Sequence, residues 1–151
     1  MGLFGKGNVM NMNHYEGIPT FGNRWAITME LTDDYLIFKP RAFKNVQPVQ
    51  LPLTKITHAG NINTTEIVEQ SKLGRAAIGG FLFGGAGAIV GAMSAGEKEK
   101  IKTLYIINYI SDDEEKVIIM QSNGNPNYFK FQKKLQELLP KQEIQQGTIT
   151  L

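Results

Sequence analysis

Cysteine is absent from the 151 residues. That removes disulfides, thiolate metal sites and cysteine nucleophiles, and it fits a cytosolic setting. Histidine is nearly absent. His14 and His58 are far apart and have no carboxylate cluster beside them, so no metal site is expected. Charge of one sign is not in excess: 16 Lys and Arg stand against 14 Asp and Glu, for a net charge of +2. The bases are scattered, and neither an RNP-type nor a helix-turn-helix pattern occurs, which argues against nucleic acid as a partner. No Ser/His/Asp arrangement, phosphate loop or carboxylate pair is visible, so a non-enzymatic chain without cofactors is expected, with no catalytic residues to assign.

The beginning of the chain, MGLFGKGN, is too short and too weakly apolar for a secretory signal. Gly2 invites a myristoylation reading, but the motif wants Ser or Thr where Lys6 stands. Residues 1–13 therefore read as a mobile arm, residues 14–140 as one domain, and residues 141–151 as a polar tail.

What is present is mostly strand. His14–Phe21 reads as a short edge strand carrying its proline. Trp25, Ile27, Met29 and Leu31 alternate with Ala26, Thr28 and Glu30, the period of a half-buried strand, with Trp25 in the core. Thr32-Asp33-Asp34 is turn chemistry, and Tyr35–Lys39 returns as the second strand of a hairpin. Pro52 demotes Val49–Ile56 to an edge or bulged strand. Ala59–Asn63 reads as a turn or bulge, and Thr64–Glu69 as a further strand rich in β-branched residues. Lys102–Ile110 is nearly continuous in apolar residues, which predicts burial on both faces. The acidic loop Ser111–Glu115 leads to its partner, Lys116–Gln121. Asn125 and Pro126 are suited to a helix start. Tyr128, Phe131, Leu135, Leu138 and Leu139 then recur at helical spacing until Pro140.

Between these strands lies Leu73–Gly96, LGRAAIGGFLFGGAGAIVGAMSAG. Gly80, Gly84, Gly87 and Gly91 fall on one helical face, and small residues at that spacing let two helix backbones approach closely. A helical hairpin is predicted, with arms Leu73–Phe83 and Gly87–Ala95. Each arm is about 15 Å long, too short for a bilayer core of about 30 Å. A single crossing over Ala76–Ala95 is long enough, but it would split one small β-domain across the membrane.

The fold class expected is α+β, mainly β: a curled antiparallel sheet, or partly open barrel, of six or seven strands capped by one C-terminal helix. This order of elements resembles the pleckstrin-homology-like superfold, including GRAM-type and bacterial members, over roughly Tyr15–Leu139. The insert is similar to the glycine-rich segment of small bacterial and phage-encoded proteins of that kind. Leu73, Gly74, Arg75, Ala76, Gly79, Gly80, Gly84, Gly87, Ala88, Ile89, Val90 and Gly91 carry the likeness. The resemblance brings no catalytic residues. The one-face glycines and the apolar tip point to an adaptor whose insert meets a membrane or a second copy, with Gly80, Phe81, Leu82, Phe83, Gly84, Gly87 and Gly91 as the contact residues.

Lys72, Arg75, Lys98, Lys100 and Lys102 form a basic neck suited to anionic headgroups, although Glu97 and Glu99 interrupt it. The expected place is the cytoplasm, with peripheral attachment at the inner face of the cell membrane. The rival expectation is a soluble interaction module whose insert makes homo-oligomers or docks a host protein. Lys39, Arg41 and Lys44 read as a solvated loop, and Asp33, Asp34 and Asp112–Glu115 as polar hairpin tips.

Overall fold

The computed structural model describes residues 7–63, 77–78, 81–82, 96, 103–122 and 127–139. The strands are β1 (Val9–Glu16), β2 (Ala26–Leu31), β3 (Tyr35–Pro40), β4 (Val49–Pro52), β5 (Ile56–Asn63), β6 (Ala77–Ile78), β7 (Phe81–Leu82), β8 (Thr103–Ser111) and β9 (Glu114–Gln121). One helix, α1 (Tyr128–Leu138), follows them. Seven strands form an antiparallel sheet in the order β4-β3-β2-β1-β9-β8-β5, and β6 and β7 pair separately.

The two edges of the large sheet cannot lie far apart. Laid flat, six inter-strand steps would separate β4 from β5 by about 29 Å. Yet only the single 3-10 turn Leu53–Lys55 joins Pro52 to Ile56, and four residue steps reach about 14 Å at most. The sheet therefore curls. Its concave side holds Met10, Met12, Ile27, Met29, Leu36, Phe38, Leu53, Tyr105, Ile107, Ile118 and Met120, closed by Phe131 and Leu135 of α1.

Several expectations hold. Ile27, Met29 and Leu31 are buried on one face of β2. The Thr32 hydroxyl accepts from the Asp34 and Tyr35 amides and shapes the β2–β3 turn. β4 is an edge strand with Pro52 at its end. Leu104, Tyr105, Ile106 and Ile107 are all buried, so β8 is covered on both faces.

Other expectations are corrected. Residues 9–13 are not an arm: they belong to β1, an interior strand between β2 and β9. Met10 and Met12 are buried there, alternating with Asn11 and Asn13. Asparagine hides this signal, because it is depleted in strands. Ala59–Asn63 is neither turn nor bulge, since it pairs with β8 in unbroken register. It continues β5, where Ala59 and Gly60 are buried and α1 comes close. There Gln132 and Gln136 donate to the Ala59 carbonyl, and the Tyr128 hydroxyl accepts from the Asn61 amide. These bonds occupy part of a sheet edge that would otherwise stand open.

The acidic loop contracts to a two-residue turn. Asp112 and Asp113 both have positive φ, 54° and 64°, the conformation of a mirror-image hairpin turn. α1 begins at Tyr128 after the cap residue Asn127, whose side chain donates to the Val9 carbonyl instead of capping the helix. The expected start at Asn125 and Pro126 lies outside the described residues.

Within the insert, the predicted helical arm is contradicted where the chain is described. Ala77–Ile78 pairs antiparallel with Phe81–Leu82, in the register Ile78↔Phe81. Gly79-Gly80 separates them in sequence, and Gly-Gly favours a tight hairpin over a helix, in which each glycine costs about 1 kcal/mol. The remainder of Leu73–Phe83 and the second arm lie outside the described residues, as do Thr64–Glu69 and the tail.

Candidate functional site

β1 delivers His14 to the start of the β1–β2 connection, residues 17–25. The ring is 3% exposed. Its Nδ1 lies 3.0 Å from the Gly22 carbonyl, and its Nε2 accepts from the Ile18 amide at 3.1 Å. A carbonyl can only accept, so Nδ1 carries the proton and Nε2 is bare. Burial lowers the His14 pKa, opposed by the bond to Gly22 and by the Glu16 carboxylate. One neutral side chain thus ties both ends of a loop.

The loop depends on two glycines. Gly17 has φ of 115°, and a Cβ there would overlap the Val117 carbonyl of β9. A Cβ on Gly22 would overlap the indole of Trp25. The Arg24 amide donates to the His14 carbonyl at 2.6 Å, and the His14 amide donates to the Trp25 carbonyl at 2.8 Å. Arg24 itself has φ of 70°.

This backbone turns Trp25 toward the β3–β4 connection, residues 41–48. Phe21 meets the His14 ring edge-on at 5.7 Å, then stacks with Trp25 at 6.0 Å and 26°. Trp25 stacks on Phe43 at 4.0 Å and 20°. Phe43 is 45% exposed. The result is an aromatic shelf spanning two loops, near Arg24, Arg41 and Lys44 in the chain, and neither loop contains an acid. A cavity of about 190 Å³ is lined by residues 14–19 and Phe21, beside the first ring of the shelf.

Trp25 is therefore half-buried shelf rather than core. Of the bases read as a solvated loop, Lys39 pairs with Glu30 across β2 and β3, while Arg41 and Lys44 are exposed. Phe43 escaped the sequence reading. The signal available was an aromatic residue set between two bases in a connection, Arg41-Ala-Phe-Lys44.

A second concavity, about 410 Å³, lies between Asn8, the β2–β3 turn and the C-terminal part of α1. Lys134, Glu137 and Asp33 line it together with Leu31 and Leu138. Its mixed charges point to no single ligand chemistry.

Of the contact residues expected in the insert, Phe81 and Leu82 form β7. Gly80, Phe83, Gly84, Gly87 and Gly91 lie outside the described residues, as do Lys72, Arg75, Lys98, Lys100 and Lys102. Among the described residues no three metal-binding side chains gather, and no helix is long and apolar enough to cross a membrane. The insert leaves the sheet at Asn63 and re-enters at Thr103, which are paired with each other. That junction is at the opposite end of β8 from the Asp112-Asp113 turn.

A family model described as "Glycine zipper containing PH domain" matches residues 22–123. The match begins in the β1–β2 connection and spans the whole glycine-rich insert. No curated protein and no solved structure matches the chain.

Proposed function

Since the chain belongs to the family of glycine zipper containing PH domains, we propose that it is a binding module without chemistry of its own, which attaches peripherally to a membrane through its insert. One observation carries this reading. Two neighbouring antiparallel strands need only a tight turn between them, yet residues 64–102 intervene between Asn63 and Thr103. The stretch Ala76–Ala95 within them has no charge. Lys72 and Arg75 precede it, and Lys98, Lys100 and Lys102 follow it, as suits an apolar wedge above anionic headgroups. The attachment side is the inner face of the cell membrane.

The experiment is co-sedimentation with vesicles containing anionic lipid, comparing wild type with Phe81→Asp/Phe83→Asp. The wild type pellets and the variant loses at least tenfold in binding. Equal pelleting of both, or of neither, sinks the reading.

The spacing of Gly80, Gly84, Gly87 and Gly91 favours a second reading, self-association by close backbone approach. It predicts an oligomer in plain buffer, measured by light scattering, that Gly84→Leu or Gly91→Leu dissociates.

A further inference from the structure

β8 and β9 bury more than the core requires. Tyr105 and Ile107 of β8, with Ile118 and Met120 of β9, point into the concave core. Alternation along the strands then turns Leu104, Ile106 and Asn108 of β8 to the convex face, with Ile119 of β9 opposite Ile106 and Ile62 of β5 opposite Leu104. The outer face of a small curled sheet is ordinarily wet and polar. Here Leu104, Ile106 and Ile119 are 0% exposed, Asn108 6% and Ile62 7%, and none of them belongs to the core cluster.

The described helix is engaged elsewhere. The helix gives Phe131 and Leu135, and the residue after it, Leu139, to the concave core, while Phe129 and Leu138 are exposed. The described piece of chain that does approach is β7, whose backbone comes within 8 Å of β5. Gly60 of β5, opposite Ile106, adds no side chain to the face and leaves room for a close neighbour.

We propose that the convex face of β5, β8 and β9 is the resting seat of the chain's own glycine-rich insert, which reaches it through the β6–β7 hairpin. The sheet then shelters from water the same apolar segment that the proposed function sends to a membrane. The seat rests on reading the insert as the contact element, but it does not require that contact to be lipid. The sequence of the insert, rich in glycine and alanine, suits the role, since small residues let one backbone lie close against another. Attachment to a membrane has a necessary counterpart: as the insert leaves, Leu104, Ile106 and Ile119 are uncovered.

The absence of cysteine makes the test clean, because each introduced thiol is the only one. Maleimide labelling rates are compared for Ile106→Cys on the convex face, Ile107→Cys in the concave core and Phe43→Cys on the exposed shelf. Ile106→Cys labels at least 100-fold more slowly than Phe43→Cys. Adding Phe81→Asp/Leu82→Asp raises the Ile106→Cys rate at least tenfold and leaves Ile107→Cys slow. A fast Ile106→Cys, or one indifferent to the change in β7, overturns the proposal. Loss of protection at Ile107→Cys means that the double substitution has unfolded the domain; Leu82→Ser then replaces it under the same criterion. Anionic vesicles form a separate arm. If they fail to accelerate Ile106→Cys, the membrane reading falls while the seat stands.

Discussion

His14 can serve the β1–β2 connection in one protonation state only. A proton on Nε2 would face the Ile18 amide, setting donor against donor. Desolvation holds the folded-state pKa below the ordinary 6.5, and the bond to Gly22 and the charge of Glu16 oppose it only in part. Because the folded state binds this proton less readily than the unfolded chain, the stabilisation is complete above about pH 6.5. It falls as acid is added, until the folded-state pKa is reached. The urea midpoint should therefore drop between about pH 7.5 and pH 5.5. His14→Gln should flatten that dependence and cost about 1–3 kcal/mol at pH 7.5, through buried groups left without partners. His58, also lowered by burial, retains its own share of the slope. A slope unchanged in His14→Gln would remove His14 from this role.

At the scale of elements, the strands were legible where apolar and polar residues alternate, as in β2, and where apolar runs follow turn residues, as in β3 and β9. They were hidden where the alternation uses Met against Asn, as in β1, and where burial demands Ala and Gly, as in β5. The breadth of β8 was readable as a run buried on both sides, but what lies over its outer side was not. The cover proposed for it is a segment whose periodicity suggested helix, whereas Ala77–Ile78 and Phe81–Leu82 pair as strands. The shelf escaped because its three rings come from two loops, 17–25 and 41–48, which only the pairing of β2 with β3 brings side by side. One further element invites repair. Asp112 and Asp113 hold left-handed backbone angles that cost L-residues energy. Asp112→Asn/Asp113→Gly, the pair such turns prefer, should raise the melting midpoint by about 2–4 °C in calorimetry. An unchanged or lower midpoint would show that the turn is not limiting.

The whole molecule is held in its curl by a short joint. Leu53, 3% exposed, sits in the 3-10 turn between the two sheet edges and belongs to the same core as β1, β2 and α1. Leu53→Ala should cost about 2–5 kcal/mol by urea titration, as other buried Leu truncations do. The loss should be cooperative, since both halves of the sheet share that core. A loss well under about 1 kcal/mol would mean that the edges are held by something other than this joint.

Trp25 is the only tryptophan in the chain. It is fixed between Phe21 and Phe43, over Gly22, on the loop that His14 ties down. The protein therefore carries one indole fluorophore, and when it is excited beyond the absorption of the five tyrosines its emission reports on the shelf alone. A partner that settles on Phe43 will change its emission. A membrane or second copy engaged only through residues 73–96 will leave the spectrum as it was, so a silent binding isotherm points to the insert and a bright or quenched one to the loops.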